Sequence, residues 1–153
     1  MTDYSLLCEQ LEALAEGERH WLPLLANSAA LLYDTLPDLN WAGFYLREGE
    51  SLLLSPFQGK IACVRIPWGK GVCGTAAAED RTQRVADVHA FPGHIACDGA
   101  SNAEIVIPLH RAGKVMGVLD IDSPRLQRFT EADERGLEDF ARALERLIDW
   151  REL

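Results

Sequence analysis

Hydrophobic runs long enough to cross a bilayer are missing from this sequence. The longest, such as Leu52 to Leu54 and Ile105 to Ile107, fall far short of the roughly 20 apolar residues a membrane helix needs. A basic leader with a small-residue cleavage site is missing too, because the chain opens M-T-D-Y-S-L-L-C-E-Q with acids among its first residues. Both absences point to a cytosolic protein. An excess of positive charge is also lacking: the formal net charge is −9, which argues against a phosphate-tracking surface and so against nucleic acid as a partner. No repeat, low-complexity tract or linker interrupts the 153 residues, so one domain over residues 1–153 is expected, large enough to bury a core without staples.

What is present is periodic pattern. Leu7, Leu11 and Leu14 recur at helical spacing up to Gly17, and Trp21, Leu25, Ala29, Leu32 and Leu36 form a second stripe stopped by Pro37. From Asn40 the period changes. N-W-A-G-F-Y-L and S-L-L-L-S-P-F read as strands joined by the turn R-E-G-E, and I-A-C-V-R-I-P reads as a third. That strand would set Ile61, Cys63 and Arg65 on one face and Ala62, Val64 and Ile66 on the other. G-V-C-G-T-A-A-A-E predicts a short helix and T-Q-R-V-A-D-V a short strand. E-I-V-I-P-L-H and K-V-M-G-V-L-D-I-D form a hairpin through R-A-G, and Thr130 with Asp133 caps a last helix striped by Leu137, Phe140, Ala141, Leu144, Leu147 and Ile148. The fold class is α+β, a mainly antiparallel sheet covered by helices.

The chain has four cysteines, and three of them, Cys63, Cys73 and Cys97, fall within residues 63–97. In a reducing compartment such a group is catalytic, redox-active or metal-binding more often than structural. Cys97 lies in the least regular segment, Asp87 to Ala103, anchored by Phe91, Ile95 and Ala96, and loops of this length are functional or disordered. A tight Asp98-Gly99 turn could offer amide groups to its thiolate, so Cys97 is either a reactive thiol or an inert loop thiol. Cys63, at an alternating strand position, reads as a small core hydrophobe. At Cys73 a helix dipole would lower the thiol pKa while burial would raise it. Cys8 sits beside the N-terminal leucine stripe and reads as packing. Zinc held by Cys63, Cys73, Cys97 and one of His89 or His94 is the rival, but the spacing lacks the paired knuckles of structural zinc sites. His20 and His110 read as helix-surface and turn residues.

Trp41, Phe44 and Tyr45 crowd one strand. Phe44 reads as core, and Trp41 and Tyr45 as a pocket wall suited to a thioether or methyl group. Asp120 and Asp122 share a strand face, fit to bind a cationic group or share a proton, and Glu104 opens the preceding strand.

Taken together, N-W-A-G-F-Y-L, F-Q-G-K-I-A-C-V-R-I-P-W-G-K-G-V-C-G-T-A-A, V-A-D-V-H-A-F-P-G-H-I-A-C-D-G-A-S-N-A-E-I-V-I-P-L and G-V-L-D-I-D-S resemble the free methionine-(R)-sulfoxide reductase family, enzymes built on a GAF-type domain. The resemblance runs from about Asn40 to the last helix. It implies a substrate, free L-methionine-(R)-sulfoxide, and it implies roles: Cys97 as catalytic cysteine, Cys63 as main resolving cysteine and Cys73 as a further recycling cysteine. Glu104, Asp120 and Asp122 match the pocket carboxylates, and Trp41 and Tyr45 its aromatic residues. A sulfenic acid on Cys97, condensation with Cys63 and recycling by thioredoxin would complete a cycle that needs no metal, flavin or nicotinamide. A homodimer through the N-terminal helices is the quaternary expectation by fold analogy. The alternative is a GAF-type sensing module whose cysteines report redox state without turnover.

Overall fold

The computed structural model describes residues 1–95, 97 and 99–151. Two helices, α1 (Tyr4–Gly17) and α2 (Trp21–Thr35), precede strands β1 (Trp41–Glu48), β2 (Ser51–Gly59) and β3 (Arg65–Pro67). Helix α3 (Gly71–Glu79), strand β4 (Gln83–Val85) and a 3₁₀ turn at Val88–Ala90 follow. Strands β5 (Ala103–Arg111) and β6 (Lys114–Ser123) and helix α4 (Glu131–Leu147) complete the order. The strands form one antiparallel sheet in the order β3-β2-β1-β6-β5-β4. Among the described residues no helix is long and apolar enough to cross a membrane.

Side chains alternate across a strand, and both faces of this sheet are buried. Ala42, Phe44 and Leu46 of β1, Leu119 and Ile121 of β6, and Ile105, Ile107 and Leu109 of β5 face one way, into a core shared with α1, α2 and α4. Trp41 and Tyr45, Val118 and Val106 face the other way and pack with Ile66 and with Val72, Cys73 and Ala76 of α3. The functional groups ride on this second face. Helix α4 starts as its sequence predicts, with Thr130 and Asp133 exchanging the two bonds of a capping box. Helix α3 lies so close to β3 that a Cβ at Gly74 would stand 2.5 Å from the Pro67 carbonyl oxygen, which is why a run of glycine, cysteine and alanine fits there.

Two local readings change. The third strand is shorter than its alternation suggests: only Arg65–Pro67 pairs with β2, and residues 61–63 leave the sheet. Gly59, at φ +132°, turns the chain off the end of β2, a conformation open chiefly to glycine. Beyond it, backbone carbonyls that a ladder would have used accept bonds from side chains of β1. Ile61 and Val64 are consequently exposed, at 90% and 64%. His110 is also more than a turn residue. Its Nδ1 lies 2.6 Å from Glu145 of α4 and its Nε2 2.6 Å from Asp80, the C-cap of α3, so it ties both helices to the end of β5.

Candidate active site

A cleft enclosing about 500 Å³ of non-protein space, its open mouth included, lies on the α3 side of the sheet. It gathers residues from across the chain, among them Trp41 and Tyr45 from β1, Gly71, Val72 and Cys73 from α3, His94, Ile95 and Cys97 from the irregular loop, Glu104 from β5, and Asp120 and Asp122 from β6. Each strand contributes residues of one parity, so strand pleating alone aims these side chains the same way. Register supplies the rest, with Glu104 opposite Asp122, Val106 opposite Asp120, and Asp122 opposite Trp41.

Cys63 and Cys97 are joined in a disulfide, with Cα atoms 5.4 Å apart. The link pins the irregular loop to the segment that leaves the sheet after Gly59. It also leaves the four-ligand zinc arrangement unassembled, because two of its sulfurs bind each other. Ala96 and Asp98 lie outside the described residues, and with them the apolar anchor at Ala96 and the Asp98-Gly99 turn. Cys8 is half-buried against the helical core, as packing requires.

The aromatic wall is a stack. Trp41 lies 5.9 Å from Tyr45 and 5.1 Å from Phe57 between ring centroids, at 23° and 15°. Both rings turn their polar atoms to the cysteine-bearing segment. The Trp41 indole N–H donates to the Lys60 carbonyl at 3.1 Å and the Tyr45 hydroxyl donates to the Cys63 carbonyl at 2.8 Å. What remains for the cleft is ring carbon, an apolar surface of low conformational entropy.

The floor is acidic and buried. Glu104, Asp120 and Asp122 are only 7%, 5% and 9% exposed. Burial raises the Glu104 carboxyl well above its ordinary range, and the negative charges of Asp120 and Asp122 push it further. Burial also raises Asp120, but hydrogen bonds with Glu104, Cys73 and Asp122 work against that rise. Burial thus holds both carboxyls above their ordinary range, and the acidic cluster as a whole retains a proton. One Asp120 oxygen, Oδ1, is buried without a hydrogen-bond partner among the described residues. At Cys73 burial prevails over the helix dipole, and with the neighbouring acids it holds the thiol well above the ordinary value; the Sγ lies 3.9 Å from Glu104. Cys73, Glu104 and Asp120 bring ligand-type atoms within 4.8 Å of one another, and each holds its atom in a cluster whose acids repel.

Sequence reasoning missed part of the lining. Gly71 and Val72 open α3, where the first backbone N–H groups have no helical acceptor, and Lys70 before them gives no side-chain cap. Ser101 is buried at the far side, accepting a bond from Asn40 Nδ2 at 3.0 Å. His94, weighed only as a zinc ligand, lines the cleft as an imidazole whose pKa is lowered by burial and by His89. The signal for α3 was the G-K-G turn ahead of a helix; a buried serine and a loop histidine carry no sequence signal of their own.

Residues 24–149 match the GAF domain family. The chain is 57% identical over 145 residues to a free methionine-R-sulfoxide reductase of Escherichia coli, covering 95% of this chain and 88% of that protein. It superposes on the reduced form of fRMsr of Staphylococcus aureus with a TM-score of 0.94 at 52% identity, covering 97% of both chains. A complex of the Staphylococcus aureus protein with its substrate gives a TM-score of 0.92 at 51% identity, again over 97% of both chains.

Proposed function

The chain belongs to the free methionine-(R)-sulfoxide reductase family of GAF-domain proteins, and from that premise we propose that it reduces free L-methionine-(R)-sulfoxide to methionine with its own cysteines. The observation that carries the reading is the Cys63–Cys97 disulfide beside a cleft with an aromatic wall and an acidic floor. Such a cleft suits a zwitterion carrying a small apolar sulfoxide. Asp120 and Asp122 offer negative charge to the ammonium group, the start of α3 offers unpaired amides to the carboxylate, and Trp41 and Tyr45 receive the methyl group.

The reaction begins from the dithiol form. The Cys97 thiolate attacks the sulfoxide sulfur, the oxygen receives protons, and Glu104 is the group that arrives carrying one. The S–O bond is transferred: methionine leaves with its sulfur reduced, and Cys97 is left as a sulfenic acid. The Cys63 thiol then attacks Cys97 Sγ and expels the oxygen as water, forming the disulfide. A thioredoxin-type dithiol returns two electrons and two protons by exchange. Cys73, buried and holding its proton, is a reserve partner for recycling once the loop releases Cys97. We take residues 1–153 as one GAF-type unit, since α1, before the family match, packs into the same core as α4. A homodimer through α1 and α2 belongs to the same reading, and sedimentation would test it.

The experiment is a side-by-side assay of free and N-acetylated methionine-(R)-sulfoxide with dithiothreitol. Multiple turnover of the free amino acid, with little on the acetylated one, is expected, because acetylation removes the ammonium charge that the acids hold. Equal rates would defeat the substrate assignment, and oxidation of the cysteines without methionine release would favour a redox sensor.

A further inference from the structure

The longest acid-free part of this acidic chain contains Cys63. Between Ser51 and Ala78 there is no Asp or Glu, whereas Lys60, Arg65 and Lys70 all lie there, in a protein of net charge −9. All three are exposed, and Lys60 and Lys70 make no ion pair among the described residues; Arg65 pairs with Glu48 at 3.0 Å. Ile61 and Val64 flank Cys63 and are exposed at 90% and 64%, two apolar side chains close together in sequence beside a redox-active sulfur. The backbone around them is already committed, with Lys60 and Cys63 carbonyls bonded to Trp41 and Tyr45 and the Val64 carbonyl accepting from Leu54 N–H at 2.8 Å. The segment therefore holds two apolar side chains outward, on either side of Cys63 in sequence, in a stretch whose only charged side chains are cations.

We propose that Ile61 and Val64, with the exposed cations Lys60 and Lys70 of the same acid-free stretch, are the docking surface for the protein dithiol that reopens the disulfide, and that this partner attacks Cys63. The inference rests on the reductase reading above, which requires a dithiol. The partner's chemistry follows from the surface: a protein with a nucleophilic thiol set in an apolar rim and an acidic surround, so that attraction steers the encounter and apolar contact holds it. Attack at Cys63 forms an intermolecular disulfide to Cys63 and expels Cys97 as a thiolate, directly into the cleft that it lines. The partner's second thiol then displaces Cys63. Two electrons and two protons pass to the chain, and the partner leaves oxidised.

The test follows reduction of the oxidised protein with no sulfoxide present, so its outcome does not depend on substrate identity. Thioredoxin and dithiothreitol serve as the two reductants. Ile61→Ser with Val64→Ser should lower the second-order rate with thioredoxin by about tenfold or more, the scale of losing central apolar contacts, while the dithiothreitol rate stays within about twofold. Lys60→Glu should slow thioredoxin and flatten its dependence on ionic strength. A thioredoxin variant lacking its second cysteine should be trapped on Cys63. Equal slowing with both reductants, an unchanged thioredoxin rate, trapping on Cys97, or wild type reduced no faster by thioredoxin than by dithiothreitol would each overturn the proposal. So would a change of oligomeric state in the serine variants, which would assign the patch to a second copy of the chain.

Discussion

Reducing the disulfide should lower thermal stability by an amount that its position in the sequence sets. Cys63 and Cys97 are 34 residues apart. In the chain-entropy treatment a cross-link of that span removes enough freedom from the unfolded chain to stabilise the fold by about 4 kcal/mol at 25 °C. The realised gain should fall below that ceiling, because residues 61–63 are outside the sheet and the native segment can relax once the bond opens. A stabilisation of about 2–4 kcal/mol is therefore expected. For a chain of 153 residues, each kcal/mol moves Tm by about 2–4 °C, giving a difference of roughly 4–16 °C between the two forms. Calorimetry on oxidised protein, and on protein held reduced by a phosphine at the same pH, would measure it. Cys63→Ser and Cys97→Ser should melt with the reduced form and ignore the reductant, and Cys73→Ser should keep the full difference. A gap under about 2 °C, or one that survives in Cys63→Ser, would refute the reasoning.

Single-turnover assays should separate the roles of the two disulfide sulfurs: Cys97→Ser should release no methionine, whereas Cys63→Ser should still release about one per protein without reductant and then stall, as expected when a sulfenic acid lacks its partner. Loss of that first burst in Cys63→Ser would remove its resolving role. Glu104→Gln should slow the sulfoxide step by on the order of 10²–10⁴-fold with product binding little changed, the range for losing general acid catalysis, whereas Asp122→Asn, which removes a charge facing the ammonium group, should weaken substrate and product together. Unchanged single-turnover rates across pH in Glu104→Gln, with unchanged binding in Asp122→Asn, would leave the acids purely structural. Stability should also depend on pH in a definite direction. The Glu104 carboxyl sits well above its ordinary 4.5 in the fold, so the native state holds a proton that the unfolded state gives up. Wild-type stability from this group is full below pH 4.5 and falls as pH rises toward the folded pKa, whereas Glu104→Gln should lack that decline. Denaturant melts of the two proteins across that range would check it, and parallel profiles would count against a protonated Glu104.

The sequence made the hairpin, the capped last helix and the two N-terminal stripes legible because each is settled locally, by period, turn and cap. The segment 61–64 was not, because its alternation of Ile, Cys and Arg imitates a strand. What pulls it from the sheet is Gly59 and two polar atoms on β1, donors far away in sequence. The candidate site was half legible. Parity alone put Asp120 and Asp122 on one face, but placing Glu104 opposite Asp122 required the register. Counting back from the Arg111–Lys114 pair would have set Glu104 against Ile121, on the wrong face. The irregularity between Leu109 and His110 shifts the pairing by one residue and brings the three acids together. That bulge left no mark in the sequence, and neither did the spanning role of His110.

The bonds from Trp41 and Tyr45 to the Lys60 and Cys63 carbonyls bear on how variants of this protein are interpreted. Each ring has one polar atom, and each uses it as a tether on the stretch of chain that holds Cys63. A change at either ring thus alters two things together, the shape offered to the ligand and the footing of the sulfur that must meet Cys97. Removing only the hydroxyl, as in Tyr45→Phe, keeps the ring and loosens the footing. Replacing the ring while keeping a donor at the same reach does the reverse. Kinetic work that substitutes these aromatics with alanine merges the two effects into one number, so a weakened apparent affinity and a slowed closure of the disulfide would look alike.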